Sequence, residues 1–284
     1  MTSYQHETVK FENRIPAMIA VLDHDQINYY FPTEIFIPAH WHRSVEISWI
    51  EHAEVILQIG EEETKIKNDF TCVNSGVVHS LSCGEIKEDS KCIILLLSYE
   101  FLKQYCPEID DIYFDMDKQK DHRPLKQLYD KLEKLYQSQE DYNYLKVTAC
   151  LLEILQLLMK DYMEYKTTKA IRLAKNQDKI QNVLTYLHEH YQEDLSLTMM
   201  ADQFHMSREH FSRQFHYYVG KTFRDYLFSY RLYKAYQDIV QSDLSIQDIA
   251  RIHGFLNVKS FIHQFTKVYH ETPMKYRKNI NNLT

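Results

Sequence analysis

"IARIHGFLNVKSFIHQF", residues 249–265, repeats the plan of "MADQFHMSREHFSRQF", residues 200–215. Ala201 aligns with Ala250, Phe211 with Phe261, Gln214 with Gln264 and Phe215 with Phe265. Downstream, Thr222 and Tyr226 align with Thr272 and Tyr276; upstream, Ser196 aligns with Ser245. Each copy predicts a short helix, a turn of about four residues and a second helix, which is helix-turn-helix geometry. Small Ala250 permits a close crossing, Gly254 suits a turn with positive φ, and Phe261/Phe265 at i and i+4 anchor the second helix inward. At the turn position of the first copy stands His205, which predicts local strain.

Start signals stand where the repeat needs them. Ser196 and Ser245 are N-caps, Asp248 completes a capping box with Ser245, Ser207 and Asn257 open the second helices, and Thr272–Pro273 supplies a cap and first turn. Between the copies, "TFRDYLFSYRLYKAYQDIVQ", residues 222–241, predicts one long amphipathic helix.

What the inward Phe pairs leave outside points to function. Arg208, Glu209, Ser212, Arg213 and His216 lie outward in the first copy, and Val258, Lys259, Ile262 and His263 in the second. A basic, hydrogen-bonding helix face suits base edges in a major groove, although the same pattern also describes a solvated face. Charge favours the groove. The chain is net −7, but residues 1–165 carry 16 basic and 29 acidic residues, and residues 166–284 carry 17 and 11. Only the second half is suited to a polyanion. If the long helix separates the modules by roughly 34 Å, both enter successive grooves of double-stranded DNA.

Residues 178–284 resemble the DNA-binding domain of AraC/XylS-type transcription regulators. The resemblance rests on Ser245-Ile246, Ile249-Ala250, Gly254-Phe255, Phe261, Phe265-Thr266-Lys267, Thr272-Pro273 and Tyr276-Arg277. It implies base contacts from the second helix of each module, and His263 stands where several members carry Arg.

The first half reads differently. "AMIAVL", "INYYF", "VEISWI", "EVILQI", "ETKIK" and "CIILLLSY" predict closely spaced strands of a sandwich or barrel. From Arg123 the period becomes helical, with Leu125, Leu128, Leu132 and Leu135 on one seam and Val147, Leu151, Ile154 and Leu158 on the next. These two helices either pack on each other or offer a face for a homodimer. The expected fold is α+β with two domains: a cupin-like β-barrel at 1–120, a helical hairpin at 121–165, a linker at 166–177, and an all-α tandem helix-turn-helix domain at 178–284.

"PAHWHRSVEI", residues 38–47, sets His40, His42 and Glu46 at HxHxxxE spacing, and "NSGVVHS" adds His79. The spacing resembles the two cupin motifs, with Asn74 where proline is usual. In AraC-type regulators such a barrel is often an effector pocket, frequently for sugars. Three readings follow: a pocket for a small polar effector, a divalent transition metal held by His40, His42, Glu46 and His79, or barrel packing alone. Trp41, Trp49, Tyr29 and Tyr30 are candidate stacking surfaces, and aromatics at strand spacing equally serve a core.

Five Cys without a CxxC pair, no signal-peptide core and no apolar run of membrane-spanning length predict a cytoplasmic protein without disulfides or membrane contact. No nucleophile elbow, phosphate loop or HExxH sequence appears, so no catalytic residue is assigned and no cofactor is required. A cupin-type metalloenzyme remains a distant alternative.

Overall fold

The computed structural model describes residues 14–30, 36–119 and 121–281. The N-terminal half runs β1 (Ala17–Asp23), α1 (His24–Tyr30), β2 (Phe36–His40), β3 (Val45–Ile59), β4 (Glu62–Lys67), β5 (Phe70–Val73) and β6 (His79–Leu97). The long strands β3 and β6 pair antiparallel along their length, with register shifts between Glu51 and Val55. There His52 takes a positive φ of 54°, its N–H donates to Asn68 Oδ1 at 2.7 Å, and its carbonyl accepts from Ser90 Oγ at 2.7 Å. Such bulges bend a strand pair. On one side of this bend β1 and β5 flank the pair; on the other, β2 and β4 do so.

Among the described residues the strands form one open antiparallel sheet and do not close into the expected barrel. Part of the reason lies in "INYYF", expected as a strand, whose first four residues complete α1. Asp23 and Gln26 form a capping box, Gln26 N–H donating to Asp23 Oδ1 (2.9 Å) and Asp23 N–H to Gln26 Oε1 (3.1 Å), which turns the chain into a helix.

One face of the sheet, with Ile19, Ile47, Ile93, Leu95 and Leu97, packs on α2 (Tyr99–Tyr105), α3 (Arg123–Tyr136) and α4 (Asn143–Leu157). The leucine seams are used here: Leu125, Leu132, Val147, Leu151 and Ile154 are buried in one core, and Tyr129 Oη donates to the Ile47 carbonyl at 2.9 Å. The two helices therefore pack on each other and on the sheet. A short sheet of β7 (Ile112–Phe114) and β8 (Met163–Tyr165) follows. Asn74 docks it: its Nδ2 donates to the Phe114 carbonyl at 2.9 Å and its Oδ1 accepts from Phe114 N–H at 2.7 Å.

The C-terminal half contains α5 (Thr168–His190), α6 (Leu197–Gln203), α7 (Arg208–Val219), α8 (Phe223–Gln241), α9 (Ile246–Ile252), α10 (Val258–Tyr269) and α11 (Pro273–Asn281). Residues 166–177, expected as a linker, are helical from Thr168 onward as the first turns of α5. The segment is rich in Lys, Ala, Arg, Leu and Gln and has no Gly or Pro, so its propensity favours continuation of the helix.

Two cores fill the two modules. Met200, Ala201, Phe211 and Phe215 are buried with Leu184 and Leu187 of α5, and Ile249, Ala250, Phe261 and Phe265 with Leu232 and Ile239 of α8. Burying each of these Phe side chains is worth about 1.5–3 kcal/mol, which fixes the second helices far more strongly than any cap. The turns follow the repeat, with φ 54° at His205 and 74° at Gly254. Holding a non-glycine residue there costs about 1 kcal/mol.

Candidate nucleic-acid interface and buried histidine cluster

The caps orient the two candidate recognition helices. Ser207 Oγ accepts from His210 N–H (3.2 Å) at the start of α7, and Asn257 Oδ1 accepts from Lys259 and Ser260 N–H (2.8 and 3.2 Å) at the start of α10. Ser196, Thr222 and Ser245 cap α6, α8 and α9 in the same way. Helix α8 has 19 residues, about 28 Å of helix, and its flanks join both cores, so the modules share one rigid strut.

Arg208, Glu209, Ser212 and Arg213 are all exposed on α7, next to one another and opposite Phe211 and Phe215. On α10, Lys259 and His263 are exposed, whereas Val258 and Ile262 are half-buried against the Phe261/Phe265 core. The second module thus presents a narrower polar face, flanked by apolar edges. His216 is exposed but lies 3.8 Å from Glu61 of the N-terminal half, so it sits at the inner end of α7. Leu256, in the turn before α10, is 99% exposed, an apolar tip beside the polar face that helix periodicity alone does not single out.

Two arginines of the basic half serve the fold instead. Arg231 Nε and Nη2 donate to the Tyr191 and Glu193 carbonyls beyond the end of α5 (2.7 and 2.6 Å). Arg277 Nε and Nη1 donate to the Ile239 and Leu244 carbonyls around the end of α8 (3.0 and 2.7 Å). Buried His253 joins the modules, Nδ1 paired with Tyr191 Oη (2.9 Å) and Nε2 with Asp238 Oδ2 (2.8 Å).

In the N-terminal half the sequence-predicted cluster assembles. His40 ends β2, His42 lies in the following turn, Glu46 is the second residue of β3, and His79 begins β6 directly across from His40 in register. All four are buried. The His40 and His79 ring centroids are 4.2 Å apart, and those of His42 and His79 5.1 Å. Glu46 Oε2 lies 3.3 Å from His42 Nε2 and 3.6 Å from His79 Nε2, and Ser48 Oγ donates to Oε1 at 3.3 Å. Burial alone would raise the Glu46 carboxyl, but hydrogen bonds and charge from His42 and His79 outweigh it and hold the group well below its ordinary 4.5.

Glu46 also lines a pocket together with Ser48, Thr71 and Ser82 and the apolar Ile27, Ile50, Val55, Leu81 and Ile94. The expected stacking aromatics are engaged elsewhere. Trp49 packs on Phe70, and Trp41 is buried in the core of the first DNA module. The side chains of Tyr29 and Tyr30 fall outside the described residues.

The two halves dock through β2. Tyr226 Oη of α8 donates to the Ala39 carbonyl at 2.5 Å, and Ala39, Trp41 and Val78 are buried with Leu184, Leu187 and Phe215. Gln181 Nε2 donates to the Gly76 carbonyl at 2.5 Å. Gly220, ending α7 at φ 74°, faces Gly60 so closely that a Cβ on it would lie 2.5 Å from the Gly60 carbonyl oxygen. Sequence reading missed this contact, whose partners stand up to 187 residues apart.

Residues 200–279 match a family model described as a helix-turn-helix domain. The chain is 26% identical over 224 residues to an uncharacterised HTH-type transcriptional regulator of Staphylococcus aureus strain MRSA252, covering 77% of this chain and 30% of that protein. The chain therefore spans under a third of the length of such Staphylococcus relatives. YdeC of Bacillus subtilis strain 168, an uncharacterised HTH-type transcriptional regulator, is 24% identical over 259 residues, covering 86% of this chain and 87% of YdeC. Among solved structures, an apo ToxT variant from Vibrio cholerae strain SCE256 shares the two-domain fold with a TM-score of 0.51 at 14% identity, covering 94% of this chain and 98% of ToxT. With its duplicated modules on a shared strut and its matching helix-turn-helix domain, the chain is similar to HTH-type transcriptional regulators, and residues 200–279 carry the helix-turn-helix domain that the AraC/XylS resemblance implies.

Proposed function

We propose that this regulator is ligand-responsive and sequence-specific: α7 and α10 read duplex DNA, and the N-terminal half senses a small effector at its buried histidine cluster. The observation that carries the reading is the shared strand. β2 contributes His40 to the cluster and Ala39 to the surface on which the first DNA module docks.

Arg208, Glu209, Ser212 and Arg213 take base edges in one groove, and Lys259 and His263 in the next. Val258 and Ile262 offer apolar edges to thymine methyl groups, and His216 lies at the rim. The effector is a small polar molecule such as a sugar, met by the polar groups of Glu46, Ser48 and Thr71 that line the adjoining pocket. A homodimer through the outer surface of α3 and α4 belongs to the same reading, and Tyr142 and Leu145 stand exposed there. The setting is the cytoplasm, where the DNA is; no described helix is long and apolar enough to cross a membrane. A metalloenzyme reading leaves the C-terminal half without a role, and the relatives in hand are named as regulators.

Arg213→Ala tests the interface. It should cost about 1–3 kcal/mol on the cognate duplex and flatten preference at one base pair. Equal loss on scrambled duplex means that Arg213 touches phosphate only and that the assignment of α7 as reader is wrong.

A further inference from the structure

We infer that the β3–β4 hairpin is an autoinhibitory clamp on α7: docked, it sets the carboxylates of Glu61 and Glu63 at the edge of the helix's outward face, where they oppose the phosphates of a duplex. This rests on the reading of α7 as a groove-reading helix and adds how that helix is held in check.

Backbone fit puts the hairpin there. Ile59 pairs with Glu62 and Gln58 with Glu63, so Gly60 and Glu61 form a two-residue turn, with Gly60 at φ 60°. That turn abuts the C-terminal end of α7. A Cβ on Gly60 would lie 2.6 Å from the Tyr217 carbonyl oxygen, and one on Gly220 would lie 2.5 Å from the Gly60 carbonyl oxygen. Both distances are shorter than van der Waals contact, so the docked hairpin requires glycine at each position. Gln58 Nε2 donates to the Gly60 carbonyl at 3.2 Å and lies over Gly220. Glu63 stands directly opposite Gln58 in the ladder and shares its face, while Glu62 takes the other.

The charge stands where a phosphate would. Glu209, Ser212, Arg213 and His216 share one exposed face of α7, and Glu61 Oε1 lies 3.8 Å from His216 Nε2, at the end of that face. Twelve residues make α7 about 18 Å long, against a major groove roughly 12 Å wide. With Arg208 and Arg213 in the groove, the His216 end therefore reaches its phosphate-lined edge. Arg213 and His216 are about 4.5 Å apart along the axis, so the Glu61 carboxylate acts on the groove well within a Debye length of about 10 Å.

These carboxylates do not strengthen the docking. Negative charge is disfavoured beside the C-terminal end of a helix, where the backbone dipole is itself negative. Glu61, Glu62 and Glu63 are all exposed, so packing does not account for them either. What they act on is an approaching polyanion, which the docked hairpin repels and the withdrawn hairpin admits.

The test is fluorescence anisotropy of the full-length protein on a duplex that the protein itself selects from a random library, repeated across a range of salt. The double variant Glu61→Gln/Glu63→Gln keeps shape and removes two charges. It should bind severalfold more tightly at low salt, with the gain shrinking as salt rises. Glu62→Gln, on the other face, should change affinity by less than about twofold. Gly60→Asn tolerates the positive φ of the turn but sets a Cβ against the Tyr217 carbonyl, so it should lift the hairpin and also tighten binding. Unchanged or weaker binding by the double variant overturns the inference, as does weaker binding by folded Gly60→Asn or an equal gain from Glu62→Gln, which would be net charge alone. Should Gly60→Asn fail to fold by circular dichroism, the double variant, at exposed positions, decides by itself. Arg213→Ala on the same duplex keeps the two readings apart. If it weakens binding while the glutamate variants change nothing, α7 reads DNA and this inference alone fails; if it leaves binding intact, the reading of α7 fails.

Discussion

Tyr226→Phe isolates one of the contacts that join the two halves. The ring is fully buried beside Phe215, 5.5 Å between centroids, and phenylalanine keeps that packing. Only the hydroxyl goes. It donates its hydrogen to the Ala39 carbonyl (2.5 Å), so His188 Nε2, 2.6 Å away, must be the donor to the same oxygen. Removing it leaves a buried acceptor without its donor and takes away the His188 bond. An orphaned buried group costs about 1–3 kcal/mol, a factor of roughly 5–150 in the docking equilibrium. His188 is half-buried and regains water, so the Ala39 carbonyl bears most of the loss. The assay is urea titration in a Trp49→Phe background, with Trp41 emission reporting the docking core and circular dichroism the helices. Trp41 should respond at lower urea in the variant, ahead of helix loss. Tyr217→Phe, at a residue 51% exposed, serves as control and should change stability by less than about 0.5 kcal/mol. Coincident Trp41 transitions in variant and parent would refute docking through Ala39.

Leu256→Ser should leave thermal stability within about 0.5 kcal/mol, because the side chain buries nothing, yet weaken cognate duplex binding severalfold through loss of an apolar groove contact; unchanged affinity in fluorescence anisotropy would place Leu256 outside the interface. Burial pushes the Cys83 and Cys150 thiols up to about 11 and those of Cys72 and Cys92 higher still. Alkylation in the native state near neutral pH should therefore be about 100-fold slower than for a free thiol, since the thiolate reacts; a rapid stoichiometric reaction would contradict their burial. The same shifts set a sign for stability. The unfolded thiols ionise first as pH rises past 9.0, so the stability they carry is present below that value and is lost progressively toward pH 11 and above, which alkaline denaturation monitored by circular dichroism should show.

Local signals were legible in the sequence and distant ones were not. Ser196, Ser207, Ser245 and Asn257 cap helices where the repeat requires, because a cap involves neighbours within three residues. The positive φ at His205 and Gly254 follows from the aligned turn. The histidine cluster was legible as HxHxxxE plus one further histidine because strand alternation fixes which side chains share a face. By contrast, the Asp23–Gln26 capping box was hidden beneath an aromatic run that reads as a strand, and it converted that run to α1. Helix propensity carried α5 through a segment that polarity marked as linker. The Ala39–Tyr226 bond, like the Asn74–Phe114 pair, joins segments far apart in the chain, and no local pattern encodes its partner.

Selection of bound fragments from a random duplex library by the full-length protein, alongside Arg213→Ala and Lys259→Ala, tests the tandem-reader account most directly. The account predicts two short motifs with centres about 10–10.5 base pairs apart, one flattened by Arg213→Ala and the other by Lys259→Ala. No enrichment at low salt, where phosphate contacts are strongest, or a single motif indifferent to both substitutions, would contradict it.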